Sequence, residues 1–94
     1  MVIIRRVAQH NRPALRRGVR LSADPLTEDA VLLFPEGILQ LNETAARVVA
    51  CCDGVQTLQQ ITRTLSDEYL DLVPEEVAAV IDELVREYLM VPDG

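Results

Sequence analysis

The chain has 94 residues and a formal net charge of -6 at pH 7. The charge is segregated: residues 1–20 hold six arginines and no acid, residues 21–94 hold three arginines and all fifteen acids, and there is no lysine. One domain of this size buries roughly 60–65% of its unfolded surface. That leaves little depth for an enclosed catalytic cavity.

Apolar residues make up 49% of the chain and mean hydropathy is +0.13, so a folded chain is expected. Phe34, Tyr69 and Tyr88 are the only aromatics, so the core must be aliphatic. No apolar run approaches the ~18 residues that span a bilayer. The arginines of MVIIRR follow only three apolar residues after the first Met, the wrong order for a secretory signal. A cytoplasmic protein is expected, and no membrane partner. Cys51 and Cys52 are adjacent and do not make a disulfide framework; they read as reduced thiols with at least one in the core.

In chain order, residues 1–17 show no clean period. They read as a mobile basic arm, with a short strand at Val2–Ile4. Residues 18–94 read as one domain. Val19, Leu21 and Ala23 alternate with Arg20 and Ser22, a strand pattern. Asp24-Pro25 and Thr27-Glu28-Asp29 turn the chain into a second apolar run, Ala30–Phe34. Phe34-Pro35-Glu36-Gly37 is a turn signal, because Pro presets φ at the second position and Gly suits the fourth. It joins the second strand to a third, Ile38–Leu41, as an antiparallel hairpin.

Helical signals follow. Asn42 is a good N-cap and Glu43 suits the helix dipole; Ala45, Val48, Val49 and Cys52 share a stripe. Asp53-Gly54 ends this helix, with Gly54 as the left-handed C′ residue. Thr57-Leu58-Gln59-Gln60 fits a capping box, and Leu58, Ile61, Leu65 and Tyr69 recur at helical spacing. Leu70–Val73 links to a third helix, with Pro74 at its first position and Glu75 and Glu76 behind it. The expected class is α+β: a three-stranded antiparallel sheet followed by three helices.

The third helix has an unusually wide apolar face. Val77, Ile81, Leu84 and Tyr88 form its centre. Ala78, Val85 and Leu89 lie on one margin and Val80 on the other, so the face is roughly 180° wide against the ~100° of an ordinary one-sided helix. Either the core needs that width, or one margin stays open for a partner. The wheel alone does not say which margin that is.

Catalytic signals are missing. His10, the one histidine, reads as a solvated surface residue. No second histidine makes a metal pair, and vicinal cysteines lack thiolate-site spacing. The four glycines are scattered at 18, 37, 54 and 94 and form no phosphate loop. The carboxylate pairs Glu75-Glu76 and Asp82-Glu83 read as a solvated helix exterior. No catalytic residue, metal or cofactor is therefore assigned. A nucleic-acid-binding winged helix is disfavoured by charge, because recognition helices need Lys and Arg to meet phosphates. Pro74–Met90 has one arginine against five acids.

The stretch Leu33-Phe34-Pro35-Glu36-Gly37-Ile38-Leu39-Gln40-Leu41-Asn42, followed by Thr44-Ala45, Cys52-Asp53-Gly54, Thr57 and Ile61, resembles the PqqD family of pyrroloquinoline quinone (PQQ) biosynthesis. The likeness covers about residues 13–90. It implies a winged-helix-like domain that is not an enzyme. Such a domain acts as the recognition element for a ribosomally made precursor peptide. The resemblance further implies that the domain is a chaperone that binds the peptide PqqA and presents it to the radical S-adenosylmethionine enzyme PqqE. The peptide would dock as an extra strand beside the third strand, against the third helix.

A free sheet edge fits that expectation, since an extended peptide adds to it through main-chain hydrogen bonds. The expected edge is Ile38, Leu39, Gln40 and Leu41. The expected helical wall is Ala78, Ile81, Val85 and Leu89, with Asp82 at the margin to meet a basic residue. The rival readings are a recognition element of another ribosomal-peptide pathway and a winged-helix nucleic-acid binder. Short strands beside long turns are able to exchange between chains, so a domain-swapped homodimer stays open beside a monomer.

Overall fold

A computed structural model describes residues 7–94. The expected strand at Val2–Ile4 lies outside the described residues. Five strands and three helices follow in order: β1 (Ala14–Leu15), β2 (Arg20–Ala23), β3 (Ala30–Phe34), β4 (Gly37–Gln40), α1 (Glu43–Ala50), α2 (Leu58–Glu68), α3 (Pro74–Arg86) and β5 (Met90–Val91). β2, β3 and β4 form one antiparallel sheet in that order. The three-stranded sheet and the three helices match the expected α+β class.

Each helix starts where its sequence signal places it. Asn42 Oδ1 accepts from the Ala45 amide at 2.8 Å. Thr57 Oγ1 accepts from the Gln60 amide at 3.2 Å while Gln60 Oε1 accepts from the Thr57 amide at 2.8 Å, a complete capping box. Pro74 opens α3 without a side-chain cap. The helix ends differ more. α1 stops at Ala50 with Cys51 as its C-cap, so Gly54 is not its C′ residue. Gly54 does have φ +77°, because its amide donates to the Pro13 carbonyl at 3.0 Å with the Ala14 side chain packed beside it. A Cβ there would meet the Ala14 Cβ at 3.4 Å.

The core is aliphatic as expected. Leu32, Val48, Leu58, Ile61, Leu65, Val77, Ile81 and Leu84 are its buried centre. Arg47 lies over the Tyr69 ring, 3.7 Å from its centroid, which ties α1 to the end of α2.

The expected mobile arm through residue 17 needs correction. Residues 7–17 are part of the fold. β1 pairs antiparallel with β5, Ala14 opposite Val91 and Leu15 opposite Met90. The Leu58 amide donates to the Asn11 carbonyl at 2.8 Å, and the Arg16 amide to the Leu89 carbonyl at 3.0 Å. Pro13 is buried. The segment is held through its backbone, and backbone pairing of this kind leaves no period in the side chains. The only ion pair it makes among the described residues, Arg16 to Glu36 at 3.3 Å, is exposed at both ends and contributes little.

Candidate functional site

The turn at Pro35-Glu36 sets everything that follows. Phe34 pairs with Gly37, Leu33 with Ile38, Leu32 with Leu39 and Val31 with Gln40. The Leu41 amide donates to the Ala30 carbonyl at 2.9 Å. In an antiparallel pair, hydrogen-bonded and non-hydrogen-bonded positions alternate. Gly37, Leu39 and Leu41 therefore turn their backbone groups toward β3. Ile38 and Gln40 turn theirs outward, to an edge with no neighbouring strand among the described residues.

That edge stands beside α3 across an open groove. Two depressions, of about 330 and 360 Å³, meet at Leu39, Glu83 and Leu84. One continues over Phe34, Ile38, Glu87 and Leu89. The other runs past Leu41 to Ala45, Ala79 and Val80. The groove thus has a strand edge on one side and a mostly apolar floor. Ile38 is 68% exposed and Leu39 37% exposed, whereas Leu84 and Leu89 in the groove floor are buried.

The site residues expected from sequence divide into two sets. Ile38, Leu39, Gln40, Leu41 and Leu89 come together at the groove. Ala78, Ile81, Asp82 and Val85 do not. Ile81 is fully buried in the core. Asp82 Oδ1 accepts from the Val7 amide at 2.8 Å, and Ala78 and Val85, one turn to either side of it, pack half-buried against the core together with Val7 and Leu15. The N-terminal segment occupies that margin of α3.

The groove is walled instead by the opposite margin: Ala79, Val80, Glu83, Leu84 and Glu87. Sequence reasoning missed these residues because Glu83 and Glu87 looked like a solvated exterior. Val80, the lone apolar residue on that side of the wheel, was the available signal.

The end of α3 also shapes the groove. The Leu89 amide donates to the Leu84 carbonyl at 3.0 Å and the Tyr88 amide to the Val85 carbonyl at 3.1 Å. This is a Schellman closure. It places Leu89 beside Leu84 in the groove floor, and it puts Tyr88 in the left-handed region at φ 59°.

The surroundings of both thiols favour the neutral form. Burial first, then the Cys51 and Asp53 charges, push the Cys52 thiol up to about 12; its Sγ lies 3.2 Å from the Val48 carbonyl. Cys51 is also raised, mainly by burial and then by Glu68 and Asp53. Low-pKa reactive thiols need the opposite environment.

This geometry has relatives. The family profile described as Coenzyme PQQ synthesis protein D (PqqD) matches residues 29–90. The chain belongs to the PqqD family. Within it, the chain is 35% identical to a protein of Stutzerimonas stutzeri strain A1501 named PqqA binding protein, over 81% of this chain and 85% of that one. A protein of the same name from Xanthomonas campestris is 38% identical over 83% of this chain and 84% of its own length. Among solved structures, the fold is similar to the PqqD part of Methylobacterium extorquens PqqCD, determined by NMR. The TM-score is 0.65 at 34% identity, over 84% of this chain and 87% of that one. That PqqD domain is described as a functional, stand-alone recognition element for ribosomally synthesized and post-translationally modified peptides.

Proposed function

We propose that this chain is a non-catalytic cytoplasmic chaperone that binds the precursor peptide PqqA and presents it to the radical S-adenosylmethionine enzyme PqqE. The observation that carries the reading is the unpaired edge of β4 beside an apolar groove. The outward amides and carbonyls of Ile38 and Gln40 hydrogen-bond the peptide as an added strand, and alternate peptide side chains drop into the two depressions on either side of Leu39. The names of the relatives support the choice of peptide.

Heteronuclear NMR with the labelled chain and synthetic PqqA tests the site. Shifts should cluster at Ile38–Leu41 and at Ala79, Val80, Glu83, Leu84 and Glu87, with little change at Ala78, Asp82 and Val85 on the opposite margin. Shifts confined to that margin, or none at saturating peptide, overturn it. Proline scanning separates the two kinds of backbone position. Gln40→Pro removes an outward amide, which an edge strand tolerates, and should abolish binding in a folded protein. Leu39→Pro removes an amide that bonds β3 and should unfold the hairpin. Presentation is tested by following PqqE-dependent cross-linking of PqqA by mass spectrometry. Product should form with this chain present and fall sharply without it, and equal yields overturn the presenting role.

A further inference from the structure

The groove floor is apolar, but its helical wall carries charge of one sign. Glu83, in the last turn of α3, and Glu87, its C-cap, stand one turn apart and both line the depression that holds Ile38 and Leu39. Like charges at this spacing disfavour the free helix. Arg86 offsets one of them only loosely: it reaches Glu83 Oε2 at 3.2 Å with side-chain exposures of 61% and 65%, a pair that solvent keeps weak and exchangeable. Glu87 has no cation within ion-pair distance among the described residues. Two carboxylates therefore border an apolar groove that is open among the described residues.

We propose that Glu83 and Glu87 form a cation subsite, so that the strand accepted here is a peptide carrying a lysine or arginine next to an apolar anchor. The spacing suits this. Same-face side chains of a strand are about 6.6–6.8 Å apart, and one helical turn of four residues rises about 6 Å. Glu83 also lines the depression of Leu41, Ala45, Ala79 and Val80, so an apolar side chain next to the basic one has a place there. The carboxylates also reject an acidic residue at that position, which gives selectivity that an apolar groove lacks. The inference rests on the peptide-binding reading above and specifies its substrate.

Calorimetry with synthetic PqqA tests it, together with a second PqqA peptide in which every lysine and arginine is glutamine. At low salt the double variant Glu83→Gln/Glu87→Gln should bind PqqA about five- to tenfold more weakly than the parent, the scale of two exposed charge contacts. The gap should close near 0.5 M salt, where screening is strong. The glutamine peptide should lose the same factor against the parent protein and almost nothing against the double variant. If the double variant binds PqqA within twofold of the parent at low salt, the subsite is overturned and the groove stands. It is overturned as well if the glutamine peptide loses affinity equally for both proteins. If the parent binds neither peptide, the peptide-binding reading falls and the subsite falls with it.

Discussion

On one margin of α3, Ala78 and Val85 flank Asp82, whose carboxylate accepts the Val7 amide, and the N-terminal segment lies against them. On the other margin, Val80 and Leu84 flank Glu83, and the β4 edge stands off across an open groove. A helix face about 180° wide serves two partners. One partner is internal, and the chain supplies it before residue 18. The other place is left open, next to the β4 edge, where the backbone groups of Ile38 and Gln40 have no neighbouring strand among the described residues. Similar apolar residues thus do different work according to whether local backbone reaches them.

The largest perturbation acts beneath both margins. Ile81 is fully buried between them, and Ile81→Ala should cost about 2–5 kcal/mol, the range for cavity-forming core truncations. Urea unfolding measures it. Val80→Ala, half-buried on the open side, should cost under about 1 kcal/mol yet weaken peptide binding. If the two variants lose equal stability, α3 has no distinct open margin.

The shared interior should also respond to alkali. Burial holds the Cys52 thiol neutral in the folded chain up to about 12, whereas the unfolded thiol ionises near its ordinary value of 9.0. Above pH 9 the unfolded state therefore binds fewer protons, and stability falls as pH rises. The loss from this group approaches about 1.4 kcal/mol per pH unit between pH 9 and 12. Chemical denaturation at pH 8, 9.5 and 10.5 reads the slope. Cys52→Ala should flatten it, and an unchanged slope removes Cys52 as its source.

A smaller effect belongs to the closed margin alone. Asp82→Ala removes the acceptor for the Val7 amide and should cost about 1 kcal/mol while leaving peptide affinity unchanged. A fall in affinity with stability intact reverses the assignment of the two margins.

The elements were legible in the sequence where their signals are local. The Pro35-Glu36 turn, the Asn42 cap and the Thr57–Gln60 capping box each concern residues within four positions of one another, and each appears where read. The free edge was legible because a hairpin followed directly by a helix leaves β4 with one neighbour. The orientation of α3 was not. It depends on which margin Val7 and β1 cover, and Val7 lies 75 positions from Asp82. The β1–β5 pair escaped for the same reason, since two-residue strands carry no alternation to read. The offset between outward Ile38 and Gln40 and inward Leu39 required one hydrogen bond, Leu41 to Ala30, to fix the phase.

The last comparison lies at the end of α3, where the two margins meet. The C′ position of a Schellman closure favours glycine, because an L side chain in the left-handed region is crowded against its own carbonyl. Tyr88 occupies it at φ 59° and is 78% exposed, so its ring recovers little by burial. Tyr88→Gly should therefore stabilise the fold by about 0.5–1 kcal/mol, the left-handed penalty less the greater chain entropy of glycine when unfolded. Thermal unfolding should show a rise of a few degrees. Peptide affinity gives the same variant a second meaning. If it is unchanged, the strain at Tyr88 has no part in the groove. If it falls while stability rises, the strained ring touches the peptide, and the open margin extends past Glu87 to the end of the helix.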